Sequence, residues 1–142
     1  MKSLQATLSV ILLGLMNCSV AAWGETVDKF LASKRVNGVM VELTNESGKL
    51  TKQENRICVR FRSSKSGGSV NVQHVGIEFT LLAGRNRGSP IVPQLTRQAD
   101  SQYCGAINLG SKDYSPAQYE VVVRYLDDRG KKRKAWFHLT RD

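Results

Sequence analysis

The clearest signal along this chain is a period of two. In Arg56-Ile57-Cys58-Val59-Arg60-Phe61-Arg62, Ile57, Val59 and Phe61 share one phase, and Arg56, Cys58, Arg60 and Arg62 share the other. A strand with one buried and one wet face alternates in this way. The same period runs through Val39, Val41 and Leu43, and through Val75, Ile77, Phe79 and Leu81. It returns in Tyr103, Ile107 and Leu109, in Tyr119, Val121, Val123 and Tyr125, and in Ala135, Phe137 and Leu139. Residues 91–95 read as a further short strand, which Pro93 assigns to a sheet edge because proline cannot donate to a ladder. Turn residues punctuate these runs: Asn45-Glu46-Ser47-Gly48, the Ser/Gly/Lys segment 63–69, Gly84-Arg85-Asn86-Arg87-Gly88-Ser89-Pro90, and Asp127-Asp128-Arg129-Gly130.

The expected strands are therefore 39–44, 56–62, 70–82, 91–95, 102–109, 119–125 and 134–140. Seven strands at intervals of roughly ten to fifteen residues predict an all-β fold, an immunoglobulin-like β-sandwich, over residues 38–142. Ahead of it, residues 23–37 form a charged lead-in, where Phe30 and Leu31 can anchor a short helical turn that Gly38 ends.

Residues 1–22 have a different character. Lys2 supplies a positive start, and Leu8, Val10, Ile11, Leu12, Leu13, Leu15 and Met16 form a short apolar stretch. Ser19-Val20-Ala21 supplies a small-x-small cleavage pattern, with Ala22 as a near alternative. The stretch is too short for a membrane span and fits a signal peptide. The expectation is a periplasmic or secreted domain of about 120 residues, without a membrane span. A lipoprotein site wants a small residue where Asn17 stands, which argues against lipidation of Cys18.

Export changes the reading of the two remaining cysteines. Cys58 and Cys104 are an even pair in an oxidising compartment, and a disulfide is the economical account. It would close a loop of about 46 residues, for about 4 kcal/mol in the chain-entropy model. A redox-active or metal-binding pair lacks a CxxC motif and nearby histidines. Both cysteines lie on the phase opposite the core residues of their strands. The strands carrying them are sheet neighbours in an immunoglobulin-type arrangement, so the bridge is expected across that sheet's outer face.

The whole chain carries a formal charge of +9 at neutral pH. Residues 1–22 hold one base and no acid, so the remainder carries +8. Such a surface attracts anionic partners through salt-screened fields. For an exported chain these are an envelope protein or an anionic envelope component, not nucleic acid. Lys131, Lys132, Arg133 and Lys134 follow the last turn, with Arg124 and Arg129 close by; Arg85 and Arg87 ride on a Gly-flanked loop. Loops at one end of a sandwich are frequent binding sites, and two basic loops together would suit an anionic group. The competing account is that lysines keep an exposed edge strand soluble. Trp136 is out of phase with its core neighbours. It either packs under the lead-in, against Phe30 and Leu31, or serves as an interface anchor.

No catalytic grouping is expected. No serine sits in a Gly-x-Ser-x-Gly elbow, no acid forms a recognisable triad with His74 or His138, and Asp127-Asp128 suits the turn it opens. The two histidines and Met40 do not converge as metal ligands must, so neither metal nor cofactor is expected.

Four stretches carry a resemblance to a known family. They are Asn55-Arg56-Ile57-Cys58-Val59-Arg60-Phe61, Val75-Gly76-Ile77-Glu78-Phe79-Thr80-Leu81-Leu82-Ala83-Gly84-Arg85, Tyr114-Ser115-Pro116-Ala117-Gln118-Tyr119-Glu120-Val121-Val122-Val123, and Trp136-Phe137-His138-Leu139. From about Gly48 onward the chain resembles the YtkA-like or FixH-like family of small exported bacterial immunoglobulin-like sandwich domains. That resemblance implies the sandwich fold, and it implies a periplasmic copper-handling protein as the alternative function. Members of the family often carry a Met-rich segment where this chain has residues 83–93, which contain neither Met nor His. The metal site of the family is therefore not expected here, although the fold is.

Overall fold

A computed structural model describes residues 28–99, 101–110 and 117–141. The expected signal peptide at 1–22, with Cys18, and Tyr114, Ser115 and Pro116 of the third motif lie outside the described residues. The described residues form β-strands and no helix: β1 (Lys29–Val36), β2 (Val39–Asn45), β3 (Glu54–Ser63), β4 (Gln73–Ala83), β5 (Asn86–Arg87), β6 (Thr96–Ala99), β7 (Gln102–Asn108), β8 (Ala117–Leu126) and β9 (Lys132–Arg141). They pair antiparallel into two sheets of order β1-β2-β3-β7-β6 and β5-β4-β8-β9. The fold is the β-sandwich expected from the alternation, with the cysteine-bearing β3 and β7 adjacent in one sheet.

The inner faces meet in one core. Val41, Leu43, Ile57, Val59, Phe61 and Ile107 come from the larger sheet; Ile77, Phe79, Tyr119, Val121, Val123, Tyr125, Ala135, Phe137 and Leu139 come from the smaller. These are the apolar phases of the sequence, each buried by the pleat that turns alternate side chains the same way. Phe61 packs on Tyr125 with ring centroids 4.8 Å apart and meets Tyr103 edge-on. Two inward positions of the larger sheet are asparagines. Asn45 accepts from the Gly48 N–H and donates to the Lys49 carbonyl, while Asn55 accepts from the Thr51 N–H and donates to the Thr51 carbonyl. Both are fully buried, and their amides replace the backbone partners missing in the β2–β3 connection.

The structure differs from the sequence reading at three places. Residues 29–36 are not a helical lead-in; they form β1, an edge strand of the larger sheet. Asn37 and Gly38 both adopt positive φ (46° and 80°), and Val36 pairs with Val39. This is a two-residue hairpin, which needs left-handed geometry at both turn positions and therefore favours Asn-Gly. The strand expected at 91–95 is a single bridge: Ile91 exchanges hydrogen bonds of 2.9 and 2.7 Å with Phe79. The chain then leaves that sheet and enters the other as β6. The long strand expected from residue 70 begins at Gln73, and β1, β5 and β6 join six of the expected strands to make nine among the described residues.

The crossover at 92–95 depends on Gly105. A Cβ there would lie 2.3 Å from the Gln94 carbonyl oxygen. At Gly76 the same atom would meet nothing within 4 Å. Gly105→Ala is expected to lower the unfolding free energy by about 2–3 kcal/mol through overpacking. Gly76→Ala is expected to change it by less than about 0.5 kcal/mol. Urea unfolding of the two variants checks this; equal effects would contradict the close approach.

The Cys58–Cys104 disulfide lies where expected, on the outer face of the larger sheet, between directly paired residues with Cα atoms 4.1 Å apart. It is nevertheless buried. Asp28 binds Arg56 at 2.6 Å, and the Arg56 Nη2 donates to Cys104 Sγ at 3.5 Å, so an ion pair roofs the sulfurs. The bridge spans 46 residues of sequence. A Cys58→Ala/Cys104→Ala variant is expected to lose about 2–4 kcal/mol. Thermal unfolding beside the wild type is the check, and an unchanged midpoint would show that the β3–β7 ladder alone holds this register.

Candidate functional site

The β8–β9 hairpin organises the basic end of the molecule. Ten pairs run from Ala117 with Arg141 to Leu126 with Lys132. The connecting loop is held by Asp127. Its N–H donates to the Lys131 carbonyl, and its carbonyl accepts from Gly130. Its Oδ1 accepts from the N–H groups of Arg129 and Lys131, both at 2.9 Å, and its Oδ2 accepts from Arg133 Nε at 3.0 Å. One carboxylate thus ties the turn and fixes an arginine beyond it.

The register has an electrostatic consequence. Odd positions of β8 and β9 enter the core, so even positions share the outer face. Arg124 stands opposite Lys134, and Leu126 stands opposite Lys132. Like charges directly opposed repel. Glu78 on the adjacent β4 offsets this by binding Arg124 Nη1 at 2.8 Å. Lys132 and Lys134 form no ion pair with any described residue.

A bulge in β4 adds His74 to this group. Gln73 pairs with Leu126 and Gly76 with Arg124, so His74 and Val75 together oppose Tyr125. His74 has φ 51°, a left-handed conformation that this kind of bulge usually assigns to glycine. A cavity of about 380 Å³ results, lined by His74, Arg124, Tyr125, Leu126, Lys132, Arg133 and Lys134. A second cavity of about 420 Å³ opens beside it, lined by the Asn37–Gly38 turn, Val72 and Asp127, Asp128 and Arg129. Arg133 lines both.

The sequence-derived site residues divide accordingly. Arg124, Lys132, Arg133 and Lys134 come together at the first cavity, Arg129 lines the second, and Lys131 lies in the loop between strands. Arg85 and Arg87 are elsewhere. Arg87 sits on β5 and binds both carboxylate oxygens of Glu120, at 2.6 and 3.3 Å. The β4–β5 turn is at the opposite end of the sheet, about 25 Å from the hairpin at ~3.3 Å per residue. The two basic loops therefore do not hold one small anion between them. Trp136 lies on the outer face, two positions from Lys134, and is 44 % exposed. Its carbonyl accepts from Lys34 Nζ at 3.1 Å as β1 passes beside β9. Phe30 is exposed, Leu31 packs on the core, and no ring stacking joins Trp136 to Phe30.

Alternation alone did not reveal His74 as a cavity residue, because a bulge resets the phase. Its only trace in sequence is the Gly76 that follows. The histidines do not converge: His74 is at the bulge and His138 faces Glu120 across the β8–β9 ladder. Among the described residues, one group of acids, histidines and cysteines is close enough to share an ion: Asp28, Cys58 and Cys104. Both of its sulfurs are in the disulfide, which leaves one carboxylate. No described helix is long and apolar enough to cross a membrane. No family model matches the chain, and no curated protein matches it.

Local chemistry shifts four groups on this sheet, among them Arg87, which its hydrogen bond to Glu120 raises. The Lys131 N–H holds the Asp127 carboxyl below its ordinary range, with help from Arg133 and Arg129 against the opposing effect of burial. The hydrogen bond from Arg87 lowers Glu120, although burial opposes it. Burial raises the Tyr125 phenol, with Asp127 adding to the effect and Arg133 opposing it. For Asp127, the lowered native value means that the folded state favours the ionised form. Its stabilisation is complete above the ordinary aspartate range near pH 4 and disappears as pH falls through the native value. Asp127→Ala is thus expected to destabilise the protein more at pH 7 than at pH 2.5. Urea unfolding at the two pH values checks this, and an equal loss at both would show that the carboxylate charge does not hold the turn.

Proposed function

We propose that this chain is a non-catalytic, exported binding module that holds an anionic envelope component at its basic hairpin. The observation that carries the reading is the gathering of Arg124, Lys132, Arg133 and Lys134, with His74, around one cavity of about 380 Å³. Glu78 and Asp127 engage two of the arginines and fix their positions, while Lys132 and Lys134 keep their charge for a ligand. A lysine is a flexible point charge, and an ion-paired arginine still has donors left for a second acceptor. Scattered solubility charge would not require a strained histidine backbone or a cavity. Export fits the disulfide and the short apolar leader, and the sandwich is the fold implied by the resemblance to YtkA-like or FixH-like domains.

The test separates location from total charge. Lys132→Gln/Lys134→Gln removes two charges at the site, and Lys65→Gln/Arg85→Gln removes two elsewhere. Binding of a fluorescent polyphosphate is measured over a range of salt. The hairpin variant is expected to lose about tenfold or more in affinity and to show a shallower salt dependence, while the control loses less than about threefold. Equal losses would mean that the whole basic surface attracts anions and that no site exists.

A further inference from the structure

The outer face of the four-stranded sheet carries a feature that a simple anion site does not need. Trp136 projects from β9 with 44 % of its surface exposed, one of three large exposed apolar side chains among the described residues. Directly opposite, Val122 is buried although it lies on the outer face. The indole is therefore the accessible apolar surface of this pair. The next outward residue on β9 toward the turn is Lys134, and after it Lys132. The outward step along a strand is about 6.6 Å, so the backbone positions of Trp136, Lys134 and Lys132 lie on a line about 13 Å long. The cavity of His74 and Leu126 lies beside its far end. On the other side of Trp136 stands His138, which faces a Glu120 already bound by Arg87.

Resting on the anion-binding reading above, we infer that the ligand is an acidic polysaccharide, with one sugar ring stacked on Trp136 and the carboxylates of neighbouring sugars on Lys134 and Lys132. A pyranose has an apolar C–H face that suits an aromatic platform, and a charged substituent on every ring that suits evenly spaced cations. The indole provides a rigid amphipathic surface at little conformational cost. An acidic peptide would satisfy the lysines but has no repeated flat apolar face to place on the indole. A phospholipid head group would fill the cavity and leave Trp136 unused unless the whole face lay on a bilayer. The nearby acids Glu78 and Glu120 are both engaged by arginines, so they do not repel the ligand as free carboxylates would.

The experiment is a calorimetric titration with hexagalacturonate, with cellohexaose as the uncharged sugar, polyglutamate as the acidic peptide, and phosphatidylglycerol vesicles as the lipid. Wild type, Trp136→Ala, Trp136→Phe and Lys132→Gln/Lys134→Gln are compared, each first shown to unfold cooperatively. Hexagalacturonate is expected to bind the wild type at least tenfold more tightly than polyglutamate, and cellohexaose not to bind measurably. Trp136→Ala is expected to weaken hexagalacturonate about tenfold while leaving polyglutamate unchanged, and Trp136→Phe to retain affinity within about threefold. Hexagalacturonate bound equally well by wild type and Trp136→Ala would overturn the glycan inference. So would polyglutamate or vesicles binding as tightly as the sugar. In both cases a loss in the lysine variant would preserve the anion site. Failure of every polyanion to bind would remove both proposals together.

Discussion

The register between β8 and β9 is the constraint on which the rest of the molecule depends. Shifting one strand past the other by a single residue would expose Phe137 and Leu139 and turn Lys134 and Trp136 into the core. Nothing in the ladder hydrogen bonds forbids that slip, since every register satisfies them about equally. Two things do forbid it. The apolar phases of both strands must reach the core together, and the loop between them must close at Asp127. The Asp127 carboxylate accepts from two loop N–H groups and from Arg133, so turn geometry and the first arginine of the cavity are set by one group. Core and candidate site are consequently opposite faces of the same decision.

The two sheets are secured by different means. The larger sheet has a covalent tie between β3 and β7, screened by the Asp28–Arg56 pair. Its N-terminal edge, β1, lies against the free edge of β9, where Lys34 caps the Trp136 carbonyl and Leu50 bridges to Arg141. On the opposite side the chain itself crosses from one sheet to the other past Gly105. The smaller sheet has no disulfide. It relies on the core beneath it and on outer-face ion pairs, Arg124 with Glu78 and Arg87 with Glu120. Exposed pairs of this kind contribute little to stability. Their stronger effect is to position cations and, on the proposed reading, to keep acids from competing with a ligand.

Much of this architecture was legible along the chain. Strands β3, β8 and β9 each keep one inward phase throughout, although Cys58 and Val122 are buried on the other face, so the outward phase of Cys58, Arg124, Lys134 and Trp136 follows directly. The Asn37-Gly38 pair was a readable turn that the charge of residues 25–36 obscured, and with it β1. The 91–95 segment was not readable in the same way. Its short Ile-Val-Pro-Gln-Leu run has the composition of an edge strand, yet a segment that crosses between sheets buries Pro93 just as an edge strand does. Periodicity records burial, not the partner that causes it.

The linear order of residues was enough to specify an all-β chain, the inward phase of its main strands, the pairing of the cysteines and a basic last turn. Each depends on neighbours a few positions apart or, for the cysteines, on setting Cys18 aside with the apolar leader. The meeting of His74 with Arg124, Lys132, Arg133 and Lys134 depends instead on strands far apart in sequence and on one extra residue in a bulge. The same is true of the separation of Arg85 and Arg87 from the hairpin, because a loop's charge says nothing about which end of a sheet it occupies. Those placements arise only when two sheets pack and their registers become fixed together, since each strand's position is then set by contacts that no local pattern encodes.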